Sequence, residues 1–217
     1  MTDVAVVGGG AAGLSAALFT AKNGLDTVVF DTDGTWLHSA HLFNYLGIES
    51  KDGTEFVEDA REQVAGFGAD IRQGEEVTAV AEDGDGFTVT TEDGEYSADY
   101  VVLATGADRD LAENLGCAFD GDVVDVDVTT ETSVADAYAT GAMVREEEWQ
   151  AIISAGDGAA AALNVLSKEE GRTVPRLRHA GRRRRTVRAR RRVAAGARSR
   201  KPYYPAAKVP SNESFVA

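Results

Sequence analysis

Apolar positions in the first half of the chain alternate between short β-branched runs and longer stretches with helical spacing. Residues 3–7 form a Val/Ala run of strand length, residues 14–23 are rich in helix formers and stop at Gly24, and residues 27–30 are a second β-branched run ending at Asp31. Residues 54–67 carry Phe56, Val57, Ala60, Val64 and Phe67 near helical spacing. Thr54 stands as a candidate N-cap, Glu55 and Glu58 suit the first turn, and Gly66 and Gly68 close the segment. Four strand-like runs follow, at 76–81, 86–91, 95–98 and 99–103. Glu82-Asp83-Gly84-Asp85 and Glu92-Asp93-Gly94 separate the first three, as turns in an antiparallel meander do. The pattern predicts a three-layer α/β domain, Rossmann-like, with an antiparallel β-meander inserted before the strand at 101–103.

Between the first strand and the first helix stands Gly8-Gly9-Gly10-Ala11-Ala12-Gly13, and Asp31 lies 18 residues beyond Gly13. Strand, glycine turn, helix, strand and acid together form the context in which a G-x-G-x-x-G pattern signals dinucleotide binding. Gly8 makes the tight turn, Gly10 admits a pyrophosphate to the backbone, and Gly13 lets helix and strand pack closely. Free amides at the helix start attract phosphate, and a carboxylate at position 31 suits a ribose 2′-hydroxyl and disfavours a 2′-phosphate.

Composition narrows the class. The 217 residues are 43% apolar and only 7% aromatic, so Ala and Val must fill much of the core. No apolar run approaches the roughly 20 residues of a membrane span, and Met1-Thr2-Asp3 lacks the basic flank of a signal peptide. A cytoplasmic location is expected, with no membrane partner. Cys117 is the one cysteine, which excludes an internal disulfide, a CxxC pair and a cysteine zinc cluster. Nothing resembles a metal box.

The net charge of −14 divides unevenly. Residues 1–171 hold 7 Lys/Arg against 35 Asp/Glu, a balance of −28, while residues 172–217 hold 15 Lys/Arg and one acid, a balance of +14. Scattered acidity on this scale suits a high-salt cytoplasm and disfavours nucleic acid as a partner of the body. The expected organisation is a dinucleotide-binding domain at 1–171 and a basic low-complexity tail at 172–217. That tail is open to three readings: a disordered nucleic-acid arm, a clamp folding back on the acidic body, or translation out of frame through GC-rich codons. The third is favoured, because a one-nucleotide shift can restore the acidic style of the body.

Residues 3–170 resemble the FAD domain of the thioredoxin-reductase-like pyridine nucleotide-disulfide oxidoreductases. Residues 6–13 with Asp31 carry the likeness, as do the helix EFVEDAREQVAGFGAD at 55–70, YVVLATGA at 100–107, and a terminal stretch at 132–163 with Tyr138-Ala139-Thr140-Gly141 and Gln150-Ala151. The resemblance implies resident FAD, with NAD(P)H as a transient donor. It implies that Gly8, Gly9, Gly10, Ala11, Ala12 and Gly13 cradle the pyrophosphate and that Asp31 holds the adenosine ribose. It also places Thr32, Val77, Ala104, Thr105, Gly106, Gly141 and Ala142 along the cofactor. Gln150 and Ala151 would open the last helix beside the flavin N1/O2 edge. The implied function is that of a flavin-dependent oxidoreductase, with a non-catalytic FAD- or NAD-binding module as the alternative.

Two departures qualify this. Gly106 and Thr132 are only 26 positions apart, too close for the NAD(P)H domain that relatives insert there, and the redox CxxC is missing. The family's Gly-Asp stands as Gly141-Ala142; Asp157, nearby, falls on a helix and is not taken as a substitute. No motif marks a catalytic residue, and residues 37–48 with the last helix are the candidate faces of a homodimer. Cys117 reads as buried, His38 and His41 as ordinary or proton-handling, Trp36 and Tyr45 as packing or stacking on a flavin, and Glu146 to Glu148 as a solvated loop.

Overall fold

The computed structural model describes residues 2–171; the expectations for the basic tail lie outside the described residues. Strand β1 (Thr2–Val7) leads through the glycine turn into α1 (Ala11–Lys22), which returns to β2 (Thr27–Asp31). A loop with a 3-10 turn at Trp36–Ser39 and a two-residue ribbon, β3 (His41–Leu42) with β4 (Lys51–Asp52), precedes α2 (Gly53–Gly66). Then come β5 (Asp70–Gln73), β6 (Val77–Asp83), β7 (Gly86–Thr91) and β8 (Glu95–Leu103). The chain closes with α3 (Asp110–Leu115), the hairpin β9 (Phe119–Asp120) and β10 (Val123–Val124), β11 (Ala137–Ala139) and α4 (Ala151–Glu169).

The main sheet runs β5-β2-β1-β8-β7-β6, with β11 also on β8. β5, β2, β1, β8 and β11 are mutually parallel, while β8, β7 and β6 are antiparallel. Strand β8 serves both parts. Residues 95–98 pair with β7, and residues 101–103 pair with β11 along the same edge, β1 holding the other. The runs read separately at 95–98 and 99–103 are therefore one strand; polar Asp99 breaks the apolar pattern without breaking the backbone.

Alternation along the parallel strands builds two cores. Val4, Val6, Tyr100 and Val102 face α1, α2 and α4, while Ala5, Val7, Val101 and Leu103 face the meander, α3 and Met143. Three layers result, helices on one side and the folded-over meander on the other. α1 and α4 are Ala-rich because they touch backbone to backbone. A Cβ at Gly158 would lie 2.0 Å from the Ala12 carbonyl oxygen, and one at Gly13 would lie 1.9 Å from that of Gly8. Helix α2 starts one residue earlier than the spacing predicts, because Asp52 and not Thr54 is its cap, accepting the Thr54 and Glu55 amides at 2.9 and 3.3 Å.

Candidate functional site

The parallel strands end at one edge, where their loops and two helix starts enclose a cleft of about 860 Å³. That volume falls within the roughly 300–1,000 Å³ of small-molecule and cofactor sites. It lies at the carboxyl ends of the strands, where open α/β sheets bind ligands.

Its floor is the glycine turn. Gly8 has φ +110°, and a Cβ there would meet the Ala104 carbonyl oxygen at 2.3 Å, so this glycine lets the turn lie against the β8 exit. Gly9 lies equally close to Asp31: its Cβ would be 2.0 Å from Oδ2. The first turn of α1 has no side-chain cap at Gly10, and that of α4 has none at Gln150. Both helices thus present unsatisfied N–H groups, with the positive end of the dipole, to the same cleft.

Of the predicted residues, Gly8, Gly9, Gly10, Ala11, Ala12, Asp31, Thr32, Val77, Ala104, Thr105, Gly106, Gly141, Ala142, Gln150 and Ala151 all line this one cleft. Gly13 does not; its place is in the packing of α1 on β1. Trp36 and His41 are in the lining, whereas Tyr45 packs on Phe56 with ring centroids 5.3 Å apart, and His38 stands behind the wall. Asp157 is engaged elsewhere, accepting Arg145 Nε and Nη2 at 2.9 and 2.7 Å, so it does not replace the acid missing at Ala142. Burial raises the Cys117 thiol pKa, which leaves it an inert core residue. Glu146 to Glu148 are exposed.

Three features escaped the sequence reading. Trp149 meets Trp36 at the mouth of the cleft, with centroids 5.3 Å apart and rings tilted by 46°. Beside that pair, Asn44 donates to the Gln150 side-chain oxygen at 2.7 Å, so the loop before α2 and the start of α4 touch at two points. The third is Arg61 of α2. Its Nη2 donates to Asp31 Oδ2 and Asp33 Oδ1, both at 2.5 Å, and the Gln73 amide oxygen, suitably turned, accepts from Nε and Nη1. Burial opposes the Arg61 charge, but the Asp33 and Asp31 carboxylates outweigh it and hold the group more firmly protonated. The bond from Arg61, then that from His38 at 2.9 Å, holds the Asp33 carboxyl below its usual range. Val57, Arg61 and Val64 stand at i, i+4 and i+7, so the signal was present: a basic residue on the buried stripe of an acidic helix.

Among the described residues no Lys or Arg lines the cleft, whereas Asp31, Glu75, Glu76, Asp108 and Asp110 do. An anionic ligand would therefore be held by backbone amides and helix dipoles. Among the described residues no group of three or more His, Cys, Asp or Glu is placed to hold a metal ion, and no helix is long and apolar enough to cross a membrane.

A glycine turn at a helix start, an acid at the end of the next strand and a second turn at 104–107 against the first define a dinucleotide-binding domain. Known proteins share both sequence and fold with this chain. Two profiles described as pyridine nucleotide-disulphide oxidoreductase match residues 39–111 and 2–63. Thioredoxin reductase from Treponema pallidum is 40% identical over 111 residues, and that from Mycolicibacterium smegmatis 36% over 118 residues. These matches take in 49% and 52% of this chain but only 36% and 37% of the relatives, so the chain spans little more than a third of their length. Solved thioredoxin reductases share the fold. That of Gloeobacter violaceus superposes with a TM-score of 0.74 at 20% identity, over 82% of this chain and 99% of that one. The atypical enzyme of Desulfovibrio vulgaris gives 0.73 at 20%, over 78% and 99%. Residues 2–111 thus match pyridine nucleotide-disulphide oxidoreductases, and the fold is that of the thioredoxin reductases, a family that binds FAD with NADPH as reductant.

Proposed function

We propose that residues 1–171 form an FAD-binding redox domain that exchanges electrons at the flavin without a dithiol of its own. One observation carries this. Three of the four stretches in which the chain resembles its relatives line a single continuous cleft, with two uncapped helix starts aimed into it, and the fourth, α2, stands behind the wall through Arg61. The residues present fit FAD at every part but one, position 142, where Ala stands for the family's Asp.

In this reading the amides of residues 9–12 hold the pyrophosphate, which α1's dipole stabilises, no cation lining the cleft among the described residues. Asp31 accepts from the adenosine ribose. FAD would supply the chemistry of accepting a hydride and releasing electrons. The start of α4, at Gln150 and Ala151, provides N–H groups and a positive dipole end for the negative charge of the reduced ring edge. Trp36 and Trp149, half-exposed at the mouth, restrict water there. The interval after Gly106 holds α3 and a two-residue hairpin rather than a nucleotide domain. The donor is thus NAD(P)H bound in passing, or a partner protein.

Visible spectroscopy in molar salt tests this. Protein given FAD and freed of excess should keep a flavin spectrum that NADPH or NADH bleaches under anaerobic conditions. Ala142, in place of the carboxylate that the resemblance implies, favours a second reading in which the nucleotide is structural or sensory. Retained colour that no donor bleaches would select that module.

A further inference from the structure

We propose that Arg61 sets the selectivity of the cleft at the ribose 2′ position, and that Asp31 masks it. This rests on the adenine-nucleotide reading above. Asp31 is 4% exposed and lines the cleft, whereas Arg61, 11% exposed, stands directly behind it and does not. The Asp31 carboxylate is held from two sides: Oδ2 accepts Arg61 Nη2 at 2.5 Å, and Oδ1 accepts the Asp33 amide at 3.0 Å. A carboxylate has about four lone-pair sites, so acceptor capacity remains for ribose hydroxyls while the group itself cannot turn away.

The same arrangement has a second face. Acids at this position suit a free 2′-hydroxyl, and a nearby arginine accommodates a 2′-phosphate. This chain holds both, one behind the other. With Asp31 in place, Arg61 is spent on Asp31, Asp33 and Gln73, and a 2′-phosphate entering beside Asp31 meets its carboxylate and no cation among the described lining residues. Without the Asp31 side chain, the space beneath Gly9 that held a carboxylate opens in front of Arg61 Nη2, whose N–H to Asp31 is released to donate to a phosphate oxygen while Asp33 keeps its own. The consequence for function is discrimination within one family of ligands. A site for FAD must refuse NADPH, whose adenosine half differs at the 2′ oxygen.

The test is displacement of bound FAD by 5′-AMP and by adenosine 2′,5′-bisphosphate, which differ only in the 2′-phosphate. The unaltered protein should prefer AMP by at least tenfold. Asp31→Ser should reverse the preference, to tenfold or more in favour of the bisphosphate, and Asp31→Ser with Arg61→Gln should return it to within about threefold of unity. Asp31→Asn, which keeps the volume, should move the ratio at least threefold the same way, so a folding failure of D31S leaves the question answerable. A reversal that persists without Arg61, or a ratio that neither Asp31 variant changes, overturns the proposal while FAD binding stands. Failure of the unaltered protein to bind FAD or AMP overturns both.

Discussion

Gly9 and Asp31 share a space that admits only one side chain. A methyl at Gly9 must displace the Asp31 carboxylate, and with it the Arg61 bond. Gly9→Ala should therefore lower stability by roughly 1–3 kcal/mol, the usual range for overpacking, and weaken FAD binding at least tenfold in a fluorescence titration. Undiminished affinity would show that Asp31 is not a cofactor contact. Position 142 works in the opposite sense. Ala142 is buried in the cleft wall, where the family resemblance implies a carboxylate. A charge-assisted hydrogen bond contributes about 1.5–3 kcal/mol, so Ala142→Asp should tighten FAD binding about tenfold or more. The same change should lower the melting temperature of the ligand-free protein, since an unpaired carboxylate is then buried.

Among the elements, α1 and α4 decide whether the two helix starts converge. Their contact depends on Gly158, whose Cβ would strike the Ala12 backbone, whereas Gly156, two residues earlier, is exposed and meets nothing within 4 Å. Gly158→Ala should destabilise by about 1–3 kcal/mol, and Gly156→Ala should stabilise by about 0.4–1 kcal/mol through the unfolded chain. Thermal melts that failed to separate the two would contradict the packing. What the sequence made legible follows the same division between local and distant. The turn at Gly8 to Gly13, the acid at Asp31 and the meander are local signals, and each element appeared within a few residues of its predicted place. Arg61 and Trp149 were missed because their partners are 28 to 113 positions away, brought close only by sheet pairing and the packing of α2 and α4. Continuity of β8 through Asp99 was missed for a related reason: a strand that changes neighbours midway carries two burial patterns.

For the whole molecule the governing quantity is charge. Residues 1–171 carry −28, the described lining of the cleft holds five carboxylates and no lysine or arginine, and the proposed cofactor is itself an anion. Screening lengths fall from about 10 Å at 0.1 M salt to about 3 Å at 1 M. FAD affinity should therefore rise with potassium chloride across that range, opposite to the weakening expected where cationic side chains hold the phosphates. A falling affinity would mean that basic groups outside the lining reach the cofactor.

Both tryptophans of the chain stand at the mouth of the cleft, so tryptophan fluorescence, excited selectively over the tyrosines, reports on this site. Titration with FAD in molar salt should quench that fluorescence to saturation at one equivalent, and excess ADP should restore it by displacing the adenosine half. A signal indifferent to FAD, or quenched by FAD yet insensitive to ADP, would contradict a dinucleotide anchored at the glycine turn with its ring at the start of α4.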